Sequence, residues 1–410
     1  MRIRIFLILL FWMMPFLSGC WSRVEINDLA FVTATGIDKM EDGKIRVALQ
    51  IAIPRMLGAP GQGGSGGEKG IGTKAVWVVS EKGTTIMDAY RKLQEKLPRE
   101  ITLSHNRIII IGEKMARSGV SSILDFFTRN REARMRSYIV FTKSEALTHL
   151  KFIPKFEKIP AEVLREEEEK QISLKINLRD FAQMLVAEGV EPIAAEVKIV
   201  PSNVINKEAS QNQESKSSVE TNESIKGTAV FKKDKLIGWL NNSETREILW
   251  LLNKMKADVI TINIPKEKGN GKVSVQTFKV ETKFIPILKQ GKLNIGVQVK
   301  VNATLYEDNS KMDLSNPNNV LFLEKKLKEK IEERIQAILD KAQNKFKSDI
   351  LGFGTAVQRK YPKEWENKFK ERWHQEFPKL KVKINTNVTV DRTGLTKKSL
   401  MREEKEFQKR

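Results

Sequence analysis

LNIGVQVKVNATLYE, residues 293–307, sets Leu293, Ile295, Val297, Val299, Val301, Ala303 and Leu305 on alternate positions. Successive side chains of a strand point to opposite faces, so the segment predicts a long strand with one apolar and one polar face. Strands of this kind build a sheet that is wet on one side and covered on the other. The flanking sequence supplies both parts. Residues 257–264 and 272–287 read as neighbouring strands, and LKVKINTNVTV (380–390) alternates again at Leu380, Val382, Ile384, Val388 and Val390. Residues 318–354 carry Leu323, Leu327, Ile331, Ile335, Ile338, Ala342, Phe346 and Ile350 at three- and four-residue steps. That stripe predicts an amphipathic helix covering the sheet, ended by Gly352 and Gly354. YPKEWENKFKERWHQEFPK (361–379) then places Tyr361, Trp365, Phe369, Trp373 and Phe377 at every fourth position. On an α-helix this spacing drifts by about 40° per step, so the rings form a winding stripe that reads as core.

Working back along the chain, IKGTAVFKKDKLIGWL (225–240) reads as a hairpin turning at Lys233-Asp234, with Ser243 capping the helix that follows. Residues 225–395 together predict a C-terminal α+β domain, a long-stranded sheet covering a long helix, and 396–410 a charged tail. SNVINKEASQNQESKSSVETNES (202–224) is nearly empty of large apolar groups and reads as a polar linker. Residues 20–201 form an N-terminal α/β region with room for two subdomains. Its strands are expected near 29–36, 45–53, 74–83, 107–111, 137–142 and 194–200. A helix capped by Thr84 or Thr85 precedes Pro98, and 156–187 reads as mainly helical. The fold class is therefore α+β and multi-domain, with mixed and antiparallel sheets packed against helices.

Gly61, Gly63 and Gly66 spell G-x-G-x-x-G within the glycine-rich residues 58–72. A dinucleotide site needs a strand running straight into the glycines and a helix opening after them. Here Pro54 and Pro60 intervene and a strand follows, so the stretch reads as a loop between paired strands. The histidines His105, His149 and His374 are scattered outside any ligand spacing, which predicts no metal or catalytic cluster. His105 reads as a structural hydrogen-bonding residue. No H-E-x-x-H helix is present, and no cofactor site is indicated.

FLSGCW (16–21) holds the chain's single cysteine, Cys20. Arg2 and Arg4 precede an apolar run from Ile5 to Leu17, the order of a signal peptide over 1–19. The run is shorter than the roughly 20 apolar residues that span a membrane. Leu17-Ser18-Gly19-Cys20 resembles the lipobox of bacterial lipoproteins, whose cysteine thiol is acylated before cleavage. One cysteine can form no internal disulfide, so lipidation gives the thiol a use. Cleavage removes two arginines from a formal charge of +21 and leaves +19 on the mature chain. Export and the lack of any nucleic-acid recognition signature argue against a nucleic-acid partner and leave a positive charge spread over the whole surface, ahead of attraction to an anionic membrane surface or acidic partner.

Several stretches, in order, resemble one family. GCWSRVEINDLAFVTATGIDK (19–39), LSHNRIIIIGEKMARSG (103–119), GTAVFKKDKLIGWLNNSETREILWL (227–251), GFGTAVQRKYPKEW (352–365) and FPKLKVKINTNVTVDRTGL (377–395) are similar to segments of the Ger(x)C family, the C-subunit lipoproteins of spore germinant receptors. The resemblance implies three mixed α/β domains and a non-enzymatic subunit, with no catalytic residue to carry over beyond the lipidated Cys20. It also implies anchorage on the outer face of the spore inner membrane beside A-type and B-type membrane subunits. The alternatives are a substrate-binding lipoprotein of a transporter and an exported cell-wall hydrolase.

Overall fold

The computed structural model describes residues 25–54, 75–152, 162, 173–201, 221–255 and 257–392. Cys20 and the signal peptide, the glycine-rich stretch, residues 202–220, most of 156–172 and the charged tail lie outside the described residues. Asp42 and Gly43 make the expected turn between β1 (Leu29–Lys39) and β2 (Ile45–Ala52), Gly43 at φ 79°. β3 (Val76–Gly83) pairs antiparallel with β2 from Ala52↔Val76 to Ile45↔Gly83, so the glycine-rich stretch does join paired strands. Thr85 caps α1 (Ile86–Lys96), its Oγ1 accepting from Asp88 N at 3.1 Å. β4 (Glu100–Thr102) and β5 (Ile108–Gly112) both lie parallel to β1. The chain continues through α2 (Glu113–Ser118), α3 (Ser121–Arg129), β6 (Tyr138–Thr142), α4 (Ala146–Lys151) and α5 (Leu178–Val186) to β7 (Ile193–Pro201).

These strands have a parallel centre, β1-β5-β6-β7, which explains the unbroken apolar run of β5. All five of its residues are buried, because helices cover both faces. Leu93, Ile123, Phe127 and Phe181 pack with Ile109 and Ile111 on one face. The other face sets the small residues Ala34, Ala48 and Ala195 among Ile108, Ile110 and Val140, beneath Ala146 and Leu150 of α4. Gly36 shows why: a Cβ there would sit 3.0 Å from Leu150 Cδ1 and 3.2 Å from Ala146 Cβ.

The sheet does not stop at the expected linker. β8 (Thr221–Lys232) begins inside it, pairs antiparallel with β7, and turns at Lys233 (φ 54°) into β9 (Lys235–Leu240). The hairpin assigned from sequence to the C-terminal domain thus completes a nine-stranded sheet, ordered β3-β2-β1-β5-β6-β7-β8-β9 with β4 beside β1. Phe231 secures it, its ring centroid 4.7 Å from Phe141 and 5.1 Å from Phe181. α6 (Asn242–Leu251) follows, capped by Asn241 and not by Ser243: Asn241 and Glu244 close a reciprocal capping box.

The second sheet matches the alternating pattern. β10 (Asp258–Ile264), β11 (Gly271–Lys289), β12 (Lys292–Asp308) and β13 (Lys381–Arg392) lie in that order, the first two pairings antiparallel and the last parallel. Ile295, Val297, Val299, Val301 and Ala303 are buried against α7 (Pro317–Asp340), whose Leu323, Leu327, Ile331, Ile335 and Ile338 are equally buried. α7 also closes the open edge of β13: Glu324 Oε1 accepts from Val390 N at 2.8 Å and Glu332 Oε1 from Thr386 N at 3.0 Å. An exposed strand edge invites pairing with other chains, and these carboxylates occupy it. The helix ends in a π-helical turn, Lys341–Phe346, with Lys347 left-handed at φ 50°. Gly352 and Gly354 do not end it; Gly352 instead caps α8 (Phe353–Lys360).

Candidate functional site

Glu25 is the first described residue after the lipobox. A 3-10 turn at Ile26–Asp28 leads into β1, and here an apolar groove of about 490 Å³ opens. Ile26, Phe31, Ile53, Trp77, Leu97 and Arg99 are among its lining residues. Ile26 is 74% exposed and Trp77 48%. Another cleft, of about 620 Å³, includes Ile45, Thr85, Met87, Asp125 and Phe126. It lies at the opposite end of β2, about 25 Å away at roughly 3.3 Å per strand residue.

The histidines divide. His105 packs edge-on against Phe31, centroids 5.1 Å apart, and lies 3.0 Å from Ser104 Oγ. Its pKa is lowered by burial and by Arg134 and Arg107, which fits a structural residue. His149 forms a site that its sequence spacing did not reveal. It is buried, with Nδ1 2.8 Å from Glu223 Oε1 and Nε2 within 2.9 Å of the hydroxyls of Thr142 and Ser144. Ser144–His149–Glu223 has the connectivity of a hydrolytic triad, but catalysis also needs free donors for an oxyanion. The N–H groups at the start of α4, on Ala146 and Leu147, already donate to Asp38 at 2.7 and 3.2 Å. Neither groove includes these residues. The array instead ties β6, α4 and β8 together. Among the described residues no group of three or more His, Cys, Asp or Glu could hold a metal ion.

A second polar cluster joins the two sheets. Gly189 (φ 72°) and Gly354 approach so closely that a Cβ on Gly189 would lie 2.4 Å from Gly354 C. Thr355 N donates to Gly189 O at 3.1 Å, Glu191 N to Asp349 O at 2.9 Å, and Ser348 Oγ to Phe231 O at 2.7 Å. Asp349, wholly buried, accepts from the backbone N–H groups of Gly352, Phe353 and Gly354 and from Trp373 Nε1, at 2.8–3.1 Å. Burial nonetheless pushes its pKa up to about 6, with those donors pulling it down. Glu188 accepts from Trp365 Nε1 at 2.9 Å and pairs with Lys370 at 2.8 Å, which holds its pKa below the usual carboxylate range.

The aromatic stripe is therefore core from Trp365 onward: Trp365, Phe369, Trp373 and Phe377 are all buried, whereas Tyr361 at its start is half-buried. It does not ride on one straight helix. A π-helical turn at Trp365–Phe369 gives way to 3-10 and α turns, and the wider π turn offsets the drift of four-residue spacing.

Comparison with known proteins agrees with this architecture. A spore germination protein N-terminal domain model matches residues 22–199, and a spore germination B3/GerAC-like C-terminal model matches 226–394. The chain belongs to the GerAC-like spore germination family. It is 32% identical to putative spore germination protein YfkR of Bacillus subtilis, across 94% of this chain and 95% of that one. Spore germination protein KC of the same organism is 30% identical, across 92% and 93%. A crystal structure of the GerBC protein superposes with a TM-score of 0.54 at 20% identity, covering 90% of this chain and all of that one, and shares the fold. The two models meet at the polar stretch, although the hairpin that opens the second model is hydrogen-bonded into the first sheet. Among the described residues no helix is long and apolar enough to cross a membrane.

Proposed function

We propose that this spore germination protein is the lipid-anchored C subunit of a nutrient germinant receptor. Cys20 is its attachment point on the outer face of the spore inner membrane, and it acts by assembling with A-type and B-type membrane subunits, not by catalysis. The observation that carries the reading is the coincidence of two family matches spanning 22–199 and 226–394 with Leu17-Ser18-Gly19-Cys20 directly before them. Two acyl chains hold a protein stably at a bilayer where one is marginal, so an anchor at Cys20 needs no spanning helix. The occupied N–H groups beside Ser144 support a non-catalytic role.

Mass spectrometry of the mature N-terminus from spore membranes, with affinity co-purification, tests this. A diacylated Cys20 and two co-purifying membrane subunits are expected. Cys20→Ala should release the folded chain from the membrane fraction and slow nutrient-triggered germination. An unmodified thiol on a membrane-bound chain would refute the anchor, and isolation without membrane partners would refute the assembly role.

A further inference from the structure

Cys20 and Ile26 are six residues apart, so the groove beside β1 lies on the order of 20 Å at most from the lipidated sulfur, taking about 3.4 Å per extended residue. A tether that short presses one end of the nine-stranded sheet toward the bilayer surface. At the end it selects, large apolar side chains are left open. Ile26 and Trp77 stand exposed on the rim, and Leu97, Pro98 and Arg99 form the adjoining wall. Trp favours the membrane–water interface, where its ring meets acyl chains and its N–H meets headgroups. Arg99 is exposed beside it, suited to an anionic phosphate.

We infer that the groove lined by Ile26, Trp77, Leu97 and Arg99 is a membrane-docking surface, seated on the headgroup and upper acyl region of an anionic bilayer. This rests on the anchored reading of Cys20. Docking fixes the direction of the molecule: β2 runs from Ile45 to Ala52 toward the groove, so the cleft containing Met87 and Phe126 faces away from the membrane. The tether supplies proximity, and the groove converts it into one orientation. The formal charge of +19 on the mature chain adds attraction to anionic lipid without choosing a face.

The test uses the mature lipoprotein with Trp21→Phe, which removes the indole next to the anchor. It is reconstituted into phosphatidylglycerol–phosphatidylcholine vesicles with brominated acyl chains. Brominated lipid should quench its fluorescence, and Trp77→Phe should remove most of that quenching while the thermal transition stays cooperative. Ile26→Asp, which places a charge on the rim, should reduce the quenching as well. Quenching unchanged by Trp77→Phe would overturn the inference. So would a Trp77 as open to aqueous iodide on vesicles as in detergent. A Trp77 hidden from both quenchers would show that another occupant fills the groove. Mass spectrometry separates the two levels of failure: a free thiol at Cys20 sinks the anchored reading and this inference with it, whereas an acylated Cys20 with Trp77 open to iodide sinks only the groove.

Discussion

In the nine-stranded sheet β5 is buried at every position, whereas β12 buries every second side chain along most of its length. The first sheet needs helices on both faces and holds a hydrogen-bonded polar set inside, His149 with Glu223 and the Thr142 hydroxyl of β6. The second is sealed on one face by α7, which also supplies the carboxylates that close its β13 edge. Buried polar sets are costly to break, because the partner left behind keeps its desolvation cost. One sheet is thus held by many partners distant in sequence and the other by a repeating apolar register. They meet at Glu188 and Asp349, where both kinds of bonding are concentrated.

That meeting point is where the contrast breaks most readily. Trp365→Ala removes a buried indole and deprives Glu188 of its N–H donor, at an expected cost of roughly 3–5 kcal/mol. Urea unfolding should show the midpoint falling for both sheets together, since the ring lies on their junction. A stable, folded Trp365→Ala chain that no longer binds its partners would make the stripe an interface instead of core.

Asp349 comes next and has a pH signature. Its folded pKa is about 6 against 3.8 unfolded, so between those values the folded state holds a proton that the unfolded state has lost. Stability therefore falls as pH rises from about 4 to 6 and levels off above, by up to about 3 kcal/mol at 1.36 kcal/mol per unit. Glu247, pushed up to about 7 by burial against the pull of Arg334, adds a fall of the same sign up to about pH 7. Asp349→Asn should remove only the lower part, so the difference between the two stability–pH curves isolates Asp349. Parallel curves across pH 4–6 would show that its carboxylate is ionised throughout.

How legible each sheet was follows from where its partners sit in the chain. β12, β13 and α7 are written as periodic patterns within short windows, and the structure has them nearly as read. The hairpin read at 225–240 joins the first sheet, and composition hides this because it reads 202–224 as a solvated linker, whereas Glu223 is buried against His149, 74 residues away. The junction was invisible for the same reason: Thr355 Oγ1 reaches Glu188 O across 167 positions. Gly352 misled because its left-handed φ serves a helix start as well as a helix end. A smaller effect probes the legible sheet. Glu332→Ala frees Thr386 N at the β13 edge and should cost about 1 kcal/mol. Hydrogen exchange at Thr386 should rise while the first sheet stays protected; a loss of protection in both sheets would erase the distinction between them.

The smallest effect expected is in the glycine-rich stretch, and it sharpens the contrast from the other side. Ala52 and Val76 are paired, so residues 53–75 close one end of the β2–β3 hairpin. Loop-closure cost grows only with the logarithm of length. Replacing residues 58–72 with five Gly and Ser residues shortens the closure from 23 to 13 residues and should stabilise the first sheet by about 0.5 kcal/mol. The thermal midpoint should move up by no more than a few degrees, and Trp77 in detergent should be as open to iodide as before. A clear loss of stability would mean that the stretch makes specific contacts with the sheet. A rise in iodide access to Trp77 would identify those contacts with the groove, since the stretch leaves β2 at Pro54 on the groove's own wall. The segment would then compete with the bilayer for the same apolar surface, and the shortened chain should bind vesicles more tightly than the natural one.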